Sequence, residues 1–225
     1  MTGAVIMLSR LVRFFAIAVA VSMLGVAAAP AQSLSDKEYR VLPAQQPTDT
    51  PDKVEVLEFF QYSCGHCYDL EPNLSAWKKR APKDVAFRYV PTVWDESRKP
   101  QARLFYTLEA LGLLDSLHDK VYEAIHERQL KLYSDRAALD RWVAAQPGLD
   151  AKKFAETYDS FGVNNKVERA AQLTRNYRIT GTPTVIVNGK YATGPANAVV
   201  GNSVDYARFA KILDELIARE RKERK

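Results

Sequence analysis

The 225 residues contain two cysteines, and they stand two positions apart in Cys64-Gly65-His66-Cys67. Thiols at that spacing close into a small disulfide ring that reopens readily, which makes the pair a device for exchanging electrons with other thiols. The nucleophile of such exchange is the thiolate, so whatever stabilises a charged sulfur at this point of the chain sets the chemistry.

Other uses of a cysteine pair fit less well. A zinc site would need two further ligands, but apart from His66 the histidines are His118 and His126, far along the chain in a helical stretch. Covalent haem attachment requires histidine directly after the second cysteine, and that position is Tyr68. An inert structural disulfide across two residues would add little chain-entropy stabilisation.

Two elements must position the pair. Val54-Glu55-Val56-Leu57-Glu58-Phe59-Phe60 is a β-branched and aromatic run, as expected of a buried strand. After Cys67 the period changes, with Tyr68, Leu70, Leu74 and Trp77 at helical spacing. Cys64 therefore sits where a helix begins, facing the free N–H groups of its first turn, with Cys67 one turn deeper. A helix terminus supplies at most ~2 kcal/mol, or roughly one and a half pKa units. Any larger shift needs direct donors, for which the His66 ring and the Cys67 amide are the candidates. Glu58, on a strand expected to have no wet face, is read as buried.

Upstream, Arg10 and Arg13 precede an apolar run from Phe14 to Ala29 that ends in Ala29-Pro30-Ala31, the pattern of a cleaved secretory signal over residues 1–31. The run is short for a membrane span and holds no cysteine for lipid attachment. An exported chain with one cysteine pair suits an oxidising compartment. Of the net charge of +5, Arg10 and Arg13 carry two positive charges and the tail Arg219–Lys225 the other three, which leaves a near-neutral body and no case for nucleic acid. The tail reads as a solvated helix end.

Residues 32–97 read as an entry arm and the first part of an α/β domain, with a second strand over Val85–Val90 parallel to the first. Residues 98–170 read as an all-helical insertion: Leu104, Leu108 and Leu111, then Leu117, Val121 and Ile125, recur at helical spacing. Ser134 and Asp150 are the expected caps, Pro147-Gly148 a break, and Tyr106, Tyr122, His118 and His126 packing residues. Residues 171–225 complete the α/β domain through a helix over Asn165–Tyr177, Thr182-Pro183 before a strand, an Asn188-Gly189 hairpin turn and a closing helix over Tyr206–Ile217.

The cysteine pair after Leu57-Glu58-Phe59-Phe60, with Thr182-Pro183 and Asn188-Gly189, resembles the thioredoxin fold. With the helical insert and the leader, the chain resembles the DsbA family of bacterial periplasmic thiol:disulfide interchange proteins. The resemblance implies that Cys64 is the exposed nucleophile, Cys67 its buried partner, and Gly65-His66 the dipeptide that tunes them. It implies that Pro183 is a cis-proline against the disulfide, that the Gly181-Thr182-Pro183 backbone binds extended substrate, and that Glu58 is a buried acid near Cys67. Many family members have proline after the first cysteine, whereas Gly65-His66 is the pair of eukaryotic protein disulfide isomerase. An oxidase of exported proteins with free cysteines is the expected function, monomeric, without cofactor, and recharged by a quinone-linked membrane partner of the DsbB type. An isomerase or reductase of the same fold, or a peptide-binding module with a structural disulfide, remains open.

Overall fold

The computed structural model describes residues 34–224; the expected leader lies outside them. Their centre is a five-stranded sheet of β1 (Arg40–Val41), β2 (Val54–Phe60), β3 (Val85–Pro91), β4 (Thr184–Val187) and β5 (Tyr191–Thr193), in the order β1-β5-β4-β2-β3. β2 and β3 run parallel, from Val54↔Val85 to Phe60↔Pro91, joined by the single helix α1 (Gly65–Arg80) as expected. β4 lies antiparallel on the other side of β2. Every residue of β2 is buried, Glu55 and Glu58 included, because strands flank it and helices cover both faces.

Alternation along β2 divides the core. Val54 and Val56 pack with Leu70, Leu74 and Trp77 of α1 and with Phe209, Ile212 and Leu216 of the last helix, while Leu57 and Phe59 pack toward the helices of the insert. Glu58 shares the parity of Val54 and Val56, so its side chain is directed to the α1 face.

The insert comprises α2 (Lys99–Ala110), α3 (Leu114–His126), α4 (Arg136–Ala144) and α5 (Ala151–Tyr158), and runs into α6 (Phe161–Asn176). Two details differ from expectation. Asp135, not Ser134, caps α4, its carboxylate accepting from the Ala138 N–H at 3.1 Å. The helix expected from Asn165 starts at Phe161, where Ser160 Oγ accepts from Val163 N. Gly162, Asn164 and Asn165 are weak helix formers that hide this first turn, and the cap supplies it.

The basic tail is also more than a solvated end. After the short hairpin β6 (Val199–Val200) and β7 (Ser203–Val204), helix α7 runs from Tyr206 to Glu223. Its inner stripe of Leu213, Leu216 and Ile217 extends to Glu220, which is buried and accepts from Asn188 Nδ2 at 2.5 Å. Arg221 pairs with Asp84 at 2.6 Å and Lys190 pairs with Glu223. These contacts dock the tail against the end of the sheet remote from the cysteines.

Asn188 and Gly189 make the turn between β4 and β5 at φ 52° and 65°, the double left-handed conformation that Asn-Gly favours. A β-carbon on Gly189 would stand 2.2 Å from the Gln46 carbonyl oxygen. Gly189→Ala is therefore expected to destabilise the protein by more than about 1 kcal/mol, read as a lower urea midpoint. The glutathione equilibrium of the cysteine pair, at the other end of the sheet, is expected to stay unchanged.

Candidate active site

β2 delivers the chain to a tight turn, Gln61 to Cys64, closed by the Cys64 N–H on the Gln61 carbonyl at 3.1 Å. Cys64 then caps α1 with extended backbone (φ −90°, ψ 114°) and no side-chain cap, which leaves the first-turn amides facing its sulfur. Both cysteines are free; Cys64 is partly exposed and Cys67, one turn deeper, is fully buried.

Their environments drive the two thiols apart. The Cys64 thiol is lowered to about 5, first by a hydrogen bond from the Cys67 side chain, then, against the cost of burial, by Thr182 and the backbone N–H groups of Cys67 and His66. The Cys67 thiol is pushed far up, first by burial, then by its hydrogen bond to Cys64 and by Glu58. At neutral pH one sulfur is a thiolate and the other keeps its proton, the unequal pair that thiol–disulfide exchange uses.

The donors to Cys64 are partly those expected. The Cys67 amide contributes, but His66 contributes through its backbone N–H. Its ring points outward, 87% exposed, with Nδ1 3.9 Å from Asp69. Gly65 is exposed, with open space where a β-carbon would be. The two-residue loop thus acts through main-chain amides, those of His66 and Cys67.

Across from the helix terminus stands the Thr180–Thr184 loop. Thr182-Pro183 is a cis peptide bond, and the Thr182 carbonyl oxygen lies 3.4 Å from Cys64 Sγ, a hydrogen bond that only the protonated thiol can donate. Thr184 Oγ1 donates to the Gly181 carbonyl at 2.8 Å, and Trp94 Nε1 to the Ile179 carbonyl at 2.6 Å, so the loop is held at both ends. Gly194 fits closely behind it, since a β-carbon there would lie 2.9 Å from the Pro183 carbonyl oxygen. A groove of ~430 Å³ opens beside Gly181, Thr182 and Pro183, walled by the arm residues Lys37 and Arg40.

Glu58 lies beneath the pair, 1% exposed, with neither carboxylate oxygen hydrogen-bonded among the described residues. Burial first, then the charge of Glu71, pushes its pKa well above the carboxylate range, so it stands as a neutral acid; only when ionised would its charge oppose a Cys67 thiolate. Glu71 is its opposite. Burial would raise its pKa, but His118 (Nε2 3.6 Å from Oε2) and the hydroxyls of Ser75 and Tyr89 (each 2.7 Å) outweigh that and hold it ionised.

Sequence reasoning missed Glu71, although it lies four residues after Cys67 on the same buried helix face, a polar residue at an apolar position. It placed His118 in the insert core, where it is, but not beside this acid. Gln101 carried no signal; it is buried on α2, and its Oε1 accepts from Ser63 N and Oγ at 3.2 Å.

A DSBA-like thioredoxin domain matches residues 93–213, a span that begins after β3 and does not include the cysteine pair. Over 195 residues the chain is 44% identical to the thiol:disulfide interchange protein DsbA of Bordetella parapertussis, covering 86% of this chain and 90% of that one. With DsbA of Pseudomonas aeruginosa it is 36% identical over 200 residues, 89% of this chain and 92% of the relative. The crystal structure of Pseudomonas aeruginosa DsbA superposes with a TM-score of 0.77 at 34% identity, covering 86% of this chain and 97% of that one. The oxidoreductase NmDsbA1 of Neisseria meningitidis gives 0.74 at 31%, over 85% and 95%. Relatives this similar along nearly the whole described chain, around a sheet that holds one ionised and one protonated thiol, leave a single conclusion: the chain belongs to the DsbA family and is a thiol:disulfide oxidoreductase of thioredoxin-like fold.

Proposed function

We propose that the protein is a periplasmic oxidase that donates the Cys64–Cys67 disulfide to exported proteins carrying free cysteines. The observation that carries this direction is the Cys64 thiol held at about 5. A thiolate stabilised in the reduced protein favours that form, so the disulfide form is the electron acceptor.

A substrate thiolate attacks the Cys64 sulfur. The Cys64–Cys67 bond breaks, and the electron pair leaves on Cys67, where burial makes an uncompensated charge costly. Glu58, kept protonated, is placed to supply the proton. The mixed disulfide lies along the Thr182-Pro183 loop, whose backbone pairs with an extended peptide by strand addition. A second substrate thiolate then attacks the substrate sulfur and releases Cys64 as a thiolate, which its hydrogen bonds make a good leaving group. Two electrons have passed from the substrate dithiol to the cysteine pair. Return to the disulfide reverses the roles: the Cys64 thiolate attacks a disulfide of the oxidising partner, and Cys67, passing its proton to Glu58 in its carboxylate form, attacks the Cys64 sulfur and releases the partner's sulfur as a thiolate. A DsbB-type quinone-linked membrane oxidase accepts those electrons.

The periplasmic assignment draws on the relatives and on the leader pattern of residues 1–31, which would be cleaved on export. No helix among the described residues is long and apolar enough to cross a membrane. The protein works as a monomer in this scheme, its helical insert (98–170) docked on the two parts of the redox domain (32–97 and 171–225).

Cys64→Ser is expected to abolish disulfide donation to a reduced, unfolded substrate. Cys67→Ser is expected to accumulate a substrate-linked mixed disulfide, seen as a shifted band on a non-reducing gel. Equal loss from both variants with no trapped species would reverse the assignment of roles.

Glu58→Gln keeps the shape of the buried acid but cannot exchange a proton. Resolution of a preformed mixed disulfide by Cys67 is expected to slow about tenfold or more, while the Cys64 titration stays near 5. A wild-type rate of resolution in stopped-flow measurements would remove Glu58 from the proton path.

A further inference from the structure

The turn that presents Cys64 is held by the helical insert as well as by the sheet. Of its four residues, Gln61 continues β2 and Cys64 opens α1, so Tyr62 and Ser63 alone set the angle between strand and helix. Three insert side chains bind those two residues. The Tyr62 hydroxyl meets His118 Nδ1 at 2.8 Å, the Tyr62 carbonyl accepts from His126 Nε2 at 2.8 Å, and Ser63 N and Oγ donate to Gln101 Oε1 at 3.2 Å. His126 is the last residue of α3 and stacks on Tyr68 of α1, with ring centroids 4.9 Å apart and planes inclined by 6°. One imidazole therefore touches the chain on both sides of the cysteine pair, two residues before Cys64 and one after Cys67.

We propose that His126 and Gln101 are positioning residues for the redox reaction: they lock the Tyr62–Ser63 peptide and thereby aim the first-turn amides of α1 at the Cys64 sulfur. The inference rests on the reading of Cys64 as the exchange nucleophile. Donors of fixed direction stabilise a charge without being reoriented, whereas a turn free to rotate would spread the same amides over several directions. The main-chain contribution of His66 and Cys67 to the low Cys64 pKa depends on that direction. The insert thus sets the electrochemistry of a site to which it contributes no reacting atom.

The hydrogen bond and the ring stack at His126 can be separated. His126→Phe keeps a ring over Tyr68 but removes the donor; His126→Gln removes the ring and returns an N–H within reach of the Tyr62 carbonyl. In the full-length reduced protein, Cys64 thiolate is followed by absorbance at 240 nm against pH, and the Cys64–Cys67 equilibrium with glutathione is measured in parallel. His126→Phe is expected to raise the Cys64 pKa and to shift the glutathione equilibrium toward the disulfide about three- to tenfold, the range of one hydrogen bond, while His126→Gln stays near wild type. Gln101→Met is expected to shift both readings in the same direction as His126→Phe, and it stands in if that variant fails to fold.

A folded His126→Phe protein with wild-type titration and equilibrium would overturn the proposal. So would a His126→Gln protein displaced as far as His126→Phe, since ring packing would then be the cause. An unfolded His126→Phe protein together with a Gln101→Met protein identical to wild type would do the same. A wild-type Cys64 that titrates as an ordinary thiol is a separate outcome, which would overturn the reading of the site itself.

Discussion

The influence of the Cys67 thiol on the Cys64 sulfur, the largest on its ionisation, organises the site. Its energy depends on charge. A thiol is a weak acceptor and a thiolate a strong one, so this influence is greatest when Cys64 is ionised and Cys67 is not. Everything around it enforces that inequality. Helix amides and Thr182 face the outer sulfur, while burial and a neutral Glu58 surround the inner one. Closing the disulfide abolishes that interaction and the charge together, so the reduced form is expected to be the favoured one.

The architecture follows from the need to keep this arrangement dry on one side and open on the other. A parallel strand pair with helices on both faces buries β2 completely, so an acid at position 58 has no route to water along the strand and stays neutral. That burial has a cost in both redox forms. A carboxyl whose pKa is raised in the folded state withdraws stability as pH rises above its ordinary range of about 4.3. Glu71 avoids neutralisation because His118 stands 3.6 Å away and the hydroxyls of Ser75 and Tyr89 supply the bonds that water would.

Much of this was legible in the residues. The strand before the cysteines, the helix after them, the parallel return through β3 and the Asn188-Gly189 turn each follow from local pattern, since period and turn chemistry are properties of a few neighbouring residues. The start of α6 was hidden because glycine and asparagine weaken the pattern that Ser160 restores. The docking of Glu220 was hidden because a charged tail reads as solvated unless its partner, Asn188 across a turn, is known to be near. The same limit applies at the site. Cys64 and Cys67 announce themselves by type and spacing and Thr182 and Pro183 through the family resemblance, whereas Gln101, His118 and His126 reach Tyr62 and Ser63 only through tertiary folding. The His66 ring was credited with a donor role that its own backbone amide fills.

The central claim is that a charged Cys64 sulfur makes the reduced protein the more stable form, and paired urea unfolding of reduced and oxidised protein tests it. Because the folded pKa of Cys64 lies near 5, below the ordinary thiol value of about 8.5, its stabilisation is complete above the ordinary value and fades as pH falls toward 5. The reduced protein is predicted to unfold at higher urea than the oxidised protein at pH 7, and this advantage is predicted to be lost at pH 4. An oxidised protein that is the more stable form at pH 7, as an ordinary stabilising disulfide would make it, would contradict the account.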